Sequence, residues 1–348
     1  MMKRKGFYVL IVTMAFMFVL AACGATEKGD EAGAKTGGDS GESKDVKGET
    51  YKFKLAHIAP PDHIWNETAE KFAEELEKRS DGRMTMDLYP GGQLGGEPDM
   101  VQQLETGSLD FGFITTAFLT SRSDAFSAWF APFLFDSYEE AFEAKDSDVA
   151  KKILATLDDE GLHAMDYFFS GNRTMMFSKK VETPEDIAGL TLRVTPSPAL
   201  QDFYRYLGAN PESISLPDVY QAAQTGVIDG MEMDLDAAIT SNFNEVTGFA
   251  AMTNHMVWPS VMIVNSKKFD AMSEEDQEII RESMAAASEF GTMKRSSLEE
   301  EYKKTLIDRG MDLYDMDESL FETYKEKFDE EYTAKDPLIK EFIETFRK

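Results

Sequence analysis

Two segments of the chain share one pattern of helix, glycine and strand, and this repetition constrains the fold more than any other feature. DMVQQLETGSLDFGF at 99–113 pairs with DVYQAAQTGVIDGME at 218–232, and Asp99/Asp218, Gln102/Gln221, Thr106/Thr225, Gly107/Gly226 and Asp110/Asp229 coincide at a constant offset. In each segment a helix is predicted to end at a glycine, the residue that most readily adopts the left-handed conformation there. Two interpretations stay open: units that look alike in any α/β protein, or two lobes of related architecture.

The surrounding pattern is also α/β. Apolar residues alternate from Phe53 to His57 along a first strand and recur at helical spacing from Trp65 to Leu76. A strand at 190–194 directs Arg193 away from its apolar neighbours. Helical pattern from Ser273 nearly to 310 would be about 54 Å long at 1.5 Å per residue, enough to span both lobes. In such sheets a ligand is expected outside the carboxyl ends of the strands, in the cleft between the lobes.

The first fifty residues predict an export signal followed by a tether. Three basic residues at 3–5 precede an apolar run at 7–20 that is too short for a comfortable transmembrane helix. The run ends in LAACG, which resembles a bacterial lipoprotein signal in which Cys23 is lipidated and becomes the mature N-terminus. An ordinary signal peptide with an incidental cysteine is the alternative. Residues 24–49 lack aromatic residues and nearly all bulky apolar ones, which is typical of a flexible linker.

Charge and cysteine content exclude several classes of protein. The 348 residues carry 36 Lys and Arg against 64 Asp and Glu, a formal charge of −28. Such a surface repels phosphate backbones, so nucleic-acid binding is not expected. A single cysteine excludes an internal disulfide framework and a cysteine zinc cluster, and the four histidines have no metal-ligand spacing. No segment after the signal is apolar enough to span a bilayer.

Dispersed motifs resemble one known family. GGQLGGEPDMVQQLETGSLDFG, TPEDIAGLTLRV, LPDVYQAAQTGVIDGMEM and MTNH resemble the substrate-binding subunits (DctP type) of tripartite ATP-independent periplasmic (TRAP) transporters, over nearly all of residues 51–348. The resemblance implies an α/β, two-lobed periplasmic-binding-protein fold (type II-like) with a long helix spanning both lobes. It also implies closure around a small organic acid, which is handed to a sodium-driven TRAP permease in the membrane.

Two arginines are the predicted cations of the site. The resemblance assigns the main ligand anchor to Arg193, in the strand after TPEDIAGL, and a second arginine to Arg173 in SGNRTMMF. A guanidinium at a strand end presents a planar fork that matches a carboxylate, and the helix start at 197–198 adds amide groups of favourable polarity. The alternatives are a surface arginine on an edge strand at 193 and a plain ion pair with an acid at 173.

The resemblance also brings in polar residues at two strand ends. Thr115 and Thr116 end the strand FGFITT, where the family's first lobe commonly supplies polar contacts; ordinary loop hydroxyls are the alternative. Glu232 matches a glutamate typical of the family, which would accept ligand hydroxyls, hold a cation or orient an arginine. Met233 stands where sialic-acid binders often have asparagine, which weakens the case for sialic acid.

Aromatic residues complete the set of candidates. Trp258 follows MTNHMV, where the chain should cross back between the lobes, and either stacks on a ligand or belongs to the core. His57 ends the first strand and either lines the cleft or is structural. His255, within the family's TNH segment, is interpreted mainly as structural. The acidic residues of DGMEMDLD lack EF-hand spacing, so we expect no dedicated calcium loop.

These observations combine into one prediction. Residues 1–22 are the signal peptide, 23–50 the lipid-anchored linker, 51–170 with about 259–298 lobe I, and 171–258 with about 299–348 lobe II. The protein would be a cell-surface lipoprotein on the outer face of a cytoplasmic membrane, in a Gram-positive cell. It would capture a small carboxylate-bearing solute such as a sugar acid. No cofactor, metal ion or catalytic residue is expected.

Rival interpretations and open questions remain at this level. A zwitterion such as an amino acid or an ectoine-like solute could use Trp258 as a cation–π face. An extracytoplasmic acid/base enzyme would use Glu232 and His57, although no nucleophile–base pair is visible, and a scaffold lipoprotein would leave the two-lobe pattern without a use. Neither the ligand nor the oligomeric state can be read from the sequence. That the acidity reflects a saline environment is a hypothesis.

Overall fold

The computed structural model describes residues 48–348. The predicted signal peptide, the lipidation site Cys23 and the linker up to residue 47 lie outside the described residues. Within the described range, no helix is both long enough and apolar enough to cross a membrane.

A mixed sheet organises this part of the chain. Its nine strands lie in the order β2-β1-β3-β8-β4-β7-β5-β6, with β9 paired to β8. The strands β2, β1 and β3 are parallel to one another, as are β7, β5 and β6. We call these two groups, with their helices, the first unit and the second unit. The strand bounds are β1 Tyr51–Ala56, β2 Met84–Tyr89, β3 Phe111–Thr115, β4 Leu162–Phe177, β5 Thr191–Val194, β6 Asn210–Ser213, β7 Gly230–Met233, β8 Phe249–Asn265 and β9 Asp312–Asp315.

Helices flank the sheet. Their bounds are α1 Ile64–Arg79, α2 Glu97–Thr106, α3 Thr116–Leu119, α4 Tyr138–Ala144, α5 Asp148–Ala155, α6 Pro198–Tyr206, α7 Val219–Gln224, α8 Leu235–Thr240, α9 Ser266–Asp270, α10 Glu274–Ser297, α11 Glu299–Asp308, α12 Glu322–Thr333 and α13 Pro337–Phe346. Short 3₁₀ segments include Asp124–Phe130, Leu216–Asp218 and Glu318–Phe321.

Two long antiparallel strands, β4 and β8, join the units. Residues 162–169 of β4 pair with 259–265 of β8 beside β3, and residues 172–177 pair with 249–257 beside β7. The register shifts between Phe169 and Asn172, and Gly171 has φ +129°, a backbone angle that favours glycine. Both strands therefore pass from one unit to the other at the same place, around residues 170–171 and 258.

The repeated segments play equivalent parts in the two units. The helix α2 ends at Gly107 (φ 74°), and α7 is followed by Gly226 (φ 70°). The Asp110 carboxylate accepts a backbone N–H of β1 at 2.8 Å, and the Asp229 carboxylate accepts a backbone N–H of β5 at 2.8 Å. This equivalence supports related architecture over chance similarity.

The predicted long helix spans both units, but it is interrupted. The helix α10 packs along α1 and β4, and α11 packs against α8 and β9. Between them Leu298 has φ −95° and ψ −1° and donates its N–H to the carbonyl of Arg295, three residues back, so the helix tightens and breaks there. Hydrophobic periodicity does not register a single tightened turn, and this is why the sequence predicted one unbroken element.

The helices α1 and α10 pack closely at Gly291. A Cβ built on Gly291 of α10 would clash with Oγ1 of Thr68 on α1. On the sheet side, α1 buries Trp65, Ala69, Phe72 and Leu76, which confirms the predicted apolar stripe.

The C-terminal helices contact both units. Phe342 of α13 packs on Trp129, with ring centroids 4.7 Å apart, in the segment before β4. Tyr332 of α12 donates a hydrogen bond to Asp202 of α6 at 2.8 Å. The exact division of residues 299–348 between lobes stays a prediction.

Candidate functional site

A cavity of about 360 Å³ lies between the units, where the carboxyl ends of β3, β5 and β7 approach the crossing of β4 and β8. This is the place expected for a ligand in such sheets. The polar lining residues are His63, Thr115, Ser170, Arg173, Arg193, Thr195 and Asp234. The apolar ones are Ile58, Ala59, Trp65, Leu216, Met233, Ala237 and Trp258.

Arg193 presents a free nitrogen to this cavity. Its side chain comes from β5 and is almost fully buried. Nε donates to the carbonyl of Ile214 at 2.8 Å, and Nη1 lies 3.5 Å from Oε1 of Glu232. Among residues 48–348, Nη2 has no hydrogen-bond partner. Burial lowers the pKa of Arg193 to about 10 against the opposing attraction of Glu232, so the group stays cationic at neutral pH and can bind an anion.

Arg173, by contrast, has a protein partner at each of its three guanidinium nitrogens. Nε donates to Glu232, Nη1 donates to Asp234 at 2.8 Å, and Nη2 donates to Oγ1 of Thr195 at 3.3 Å. Its guanidinium carbon lies 3.9 Å from the centroid of the Trp258 ring. Burial opposes the charge, but the neighbouring carboxylates outweigh it and raise the pKa of Arg173. The predicted second cation therefore lines the cavity with a protein partner already at each nitrogen, and its guanidinium covers one face of Trp258.

Glu232 bridges the two arginines and does not line the cavity. It is completely buried, and Oε1 accepts both the backbone N–H and the hydroxyl of Thr195 at 3.0 Å each. Burial works against its charge, but Arg173 and Arg193 outweigh that effect and lower the pKa of the carboxyl. Of the roles predicted for Glu232, the geometry is that of a group that orients arginines. In the described part of the chain no cluster of three or more His, Cys, Asp or Glu residues could hold a metal ion.

Thr115 lines the cavity but is held by a residue that the sequence did not single out. The carboxylate of Glu97 accepts the Thr115 N–H at 2.6 Å and its hydroxyl at 3.0 Å, while the same hydroxyl caps α3 by accepting the N–H of Phe118 at 3.1 Å. Burial raises the pKa of Glu97 to about 7. Thr116 does not line the cavity and donates its hydroxyl proton to the carbonyl of Pro259 at 3.0 Å.

The two histidines considered from the sequence are buried away from the cavity. His57 packs against Phe113 and Trp65, and neither of its ring nitrogens has a hydrogen-bond partner among the described residues. Burial lowers the pKa of His57 to about 3, so it is a neutral core residue. His255 contacts Tyr204 at 3.2 Å and Thr253 at 2.8 Å, and burial lowers its pKa to about 4.

A further histidine, His63, connects the two units and was missed from the sequence. It caps α1 by accepting the Trp65 N–H at Nδ1 (3.2 Å), and its Nε2 lies 3.5 Å from Asp236 and 3.8 Å from Asp234. Asp236 also accepts the N–H of Ile64 at 2.8 Å. Burial opposes the charge on His63, but the two carboxylates outweigh it and raise its pKa. No local pattern reveals a pairing between residues so far apart in the sequence.

The fold and cavity are those of a two-lobed solute-binding protein, and the comparisons specify which kind. Residues 55–336 match the family described as bacterial extracellular solute-binding protein, family 7 (DctP). The chain belongs to this family.

Individual relatives and solved structures agree with this family. A solute-binding protein of Chromohalobacter salexigens is 26% identical over 292 residues, 82% of this chain and 86% of the relative. The 2,3-diketo-L-gulonate-binding periplasmic protein of Escherichia coli K12 is 28% identical, over 74% of this chain and 75% of the relative. A TRAP periplasmic solute-binding protein from Sulfitobacter sp. NAS-14.1, with bound β-D-galacturonate, superposes with a TM-score of 0.80 at 26% identity, covering 85% and 99% of the two chains.

The predicted family and fold class are thereby confirmed. The protein is an extracytoplasmic solute-binding subunit of the TRAP type with the two-lobed fold.

Proposed function

We propose that this protein captures a small organic acid by binding its carboxylate at Arg193 and delivers it to a TRAP permease. The observation that carries the proposal is the free Nη2 of a buried, charged arginine at the edge of a cavity between two units. A carboxylate there gains charge-assisted hydrogen bonds in a site largely shielded from water, where they are stronger than at the surface.

The ligands of the relatives support an acid. The Escherichia coli relative is named for 2,3-diketo-L-gulonate, and the Sulfitobacter structure holds β-D-galacturonate. Both ligands are carboxylates. The zwitterion alternative gains no support from Trp258, because the guanidinium of Arg173 already covers one face of its ring.

Closure is the second part of the proposal. The units are joined through β4 and β8, so a ligand that contacts Arg193 of the second unit and Ala59 or Thr115 of the first would favour the shut state. No group in this network is proposed to act as a catalyst, and the ligand would be recovered unchanged.

The test of this function replaces Arg193. Purified residues 48–348 are screened by thermal shift against a panel of carboxylic acids, because a ligand that binds only the folded state raises the melting temperature. Arg193→Ala should abolish the shift. Arg205→Ala, which removes an exposed arginine of α6, serves as the matched control and should retain it. A wild-type shift that survives in Arg193→Ala contradicts the anchor, and consumption of the acid would favour an enzyme.

We also propose that Cys23 carries the lipid that holds the protein on the outer face of the cytoplasmic membrane of a Gram-positive cell. The lipobox-like LAACG and the polar linker after it support this. Full-length protein should partition with membranes and label with a fatty-acid analogue, and Cys23→Ala should lose both properties. Retained labelling in the variant would contradict lipidation at this cysteine.

A further inference from the structure

The polar groups around the cavity are mostly engaged with one another. Thr195 donates to Glu232, and Asp234 accepts from Arg173 with one oxygen and from the N–H of Ala237 with the other, at 2.9 Å. The hydroxyl of Thr115 donates to Glu97. A ligand hydroxyl entering here would find acceptors and donors that already have partners.

Among the polar side chains that line the cavity in residues 48–348, two donor groups have no acceptor. One is Nη2 of Arg193, and the other is the hydroxyl proton of Ser170, whose oxygen accepts the indole N–H of Trp65 at 2.5 Å. Both groups recognise acceptor atoms, such as the oxygens of a carboxylate or of a ketone beside it. Each guanidinium nitrogen of Arg173 already has a protein partner. Nη2 of Arg193 is therefore the cationic group best placed to bind a ligand carboxylate, and we infer that the cavity accommodates one carboxylate.

The rest of the lining is hydrocarbon. Ile58 and Ala59 come from the first unit, Leu216 and Ala237 come from the second, and Met233 lies beside Arg173 with its sulfur 3.7 Å from Nη1. Apolar ligand atoms are stabilised by leaving water for such a surface. A hydroxyl placed there without a partner is destabilised because it loses its hydrogen bonds to water.

We propose, on the basis of the function proposed above, that the ligand is a monocarboxylate with a mainly apolar, branched or cyclic carbon skeleton. The carboxylate binds Arg193 and Ser170, and the skeleton packs against Ile58, Leu216 and Met233. Polyhydroxylated sugar acids and dicarboxylates bind more weakly, because their additional polar groups meet engaged partners or hydrocarbon.

A neighbouring cavity, whose lining includes the polar side chains of Glu97, Ser215 and Asp218, offers hydrogen-bond partners to a longer ligand. It lies between the glycine-rich turn at 91–96 and residues 215–218, and it shares Ile58 with the main cavity. A long hydroxylated acid could satisfy its hydroxyls only by reaching past Ile58 and Leu216 into this space. The side chain of Leu216 is therefore the residue that favours a compact apolar ligand over an extended polar one.

The experiment compares cyclohexanecarboxylate and 3-methylbutanoate with galacturonate, gluconate and succinate by isothermal titration calorimetry on residues 48–348. The apolar acids should bind at least tenfold more tightly than the hydroxylated acids and succinate. Tighter binding of galacturonate, gluconate or succinate overturns this inference while leaving the proposed function intact. Binding by none of the acids, or undiminished binding in Arg193→Ala, overturns the proposed function itself.

A substitution of Leu216 tests whether this residue causes the preference for apolar acids. Leu216→Ser should weaken binding of cyclohexanecarboxylate about tenfold, the scale expected for losing a well-packed apolar contact, and should narrow its advantage over galacturonate. Leu320→Ser, in another 3₁₀ segment and 43% exposed, is the matched control and should leave both affinities unchanged. Unchanged affinities in Leu216→Ser contradict the assignment of Leu216, and its melting temperature without ligand shows whether the variant folds.

Discussion

Replacing Glu232 by glutamine should strongly destabilise the fold, because this carboxylate is the shared partner of two buried arginines. Both oxygens accept hydrogen bonds: one from Arg173, the other from the N–H and hydroxyl of Thr195. A glutamine amide would place an N–H₂ group against a donor on one side or the other. It would also leave Arg193, which is only 1% exposed, without its nearest negative charge.

The magnitude follows from this burial. Removing one partner of a buried ion pair costs about 3–5 kcal/mol, because the remaining charge is left uncompensated in the interior. At about 2 °C per kcal/mol for a chain of this size, the melting temperature of Glu232→Gln should fall by roughly 6–10 °C. Differential scanning fluorimetry at pH 7.5 measures the shift, and urea unfolding followed by circular dichroism gives the change in the free energy of unfolding.

The control variant removes one carboxylate charge from an exposed position instead of a buried one. Glu212 is exposed on the edge strand β6, so Glu212→Gln should change the free energy of unfolding by less than about 0.5 kcal/mol. If Glu232→Gln cost less than about 1 kcal/mol, the two guanidinium groups would not depend on this carboxylate, and the charge network described above would be wrong.

Three further predictions concern packing and pH. Gly291→Ala should destabilise the protein despite alanine's better helix propensity, because the new methyl group clashes with Thr68. Gly248→Ala is the control and should not destabilise it, because no atom lies within 4 Å of a Cβ built there. Urea unfolding measures the free energy of unfolding of both variants. His57 has a lowered pKa of about 3, so the free energy of unfolding decreases as pH falls below about 6.5. His57→Phe should remove this loss and recover about 2 kcal/mol of the free energy of unfolding at pH 5 relative to pH 8. If the variant lost as much stability as the wild type between pH 8 and pH 5, the prediction would be wrong. His63 has a raised pKa, so its contribution to the free energy of unfolding is present below about pH 6.5 and is lost as pH rises through the pKa of the folded state. His63→Gln should reduce this loss of stability at higher pH. The same dependence of stability on pH in variant and wild type would refute the pairing of His63 with Asp234 and Asp236.

Local patterns predicted the equivalent helix–glycine–strand elements, while the role of Arg193 as ligand anchor stays a prediction. Asp110 and Asp229 could be paired from sequence because each lies at a fixed distance after a helix-ending glycine, and both hold a neighbouring strand in the same way. The orientation of Arg193 follows from strand alternation, and its position at the cavity agrees with that expectation.

Side-chain partnerships between distant segments could not be predicted in this way. The partners of Arg173 are Glu232 and Asp234 at the end of β7 and Thr195 at the end of β5, and the fold brings these two strand ends together at β4. Asp236 reaches the start of α1 across 172 residues of sequence. Such contacts arise from tertiary packing and leave no periodic signature, so a sequence can propose which residues are near a site without showing which of their donors are free.

The crossing of β4 and β8 has a consequence for how the molecule withstands damage. Within residues 48–348, the chain joins the two units through β4 and β8, through the junction between α10 and α11 at Leu298, and through the C-terminal helices, which contact both units. A single cut by a protease within any one of these connections leaves the other covalent links and most of the paired hydrogen bonds intact. Exchange of a unit between molecules would require all of these connections to detach together. The architecture therefore keeps the two units joined after a single cut, a useful property for a protein that works outside the cytoplasm.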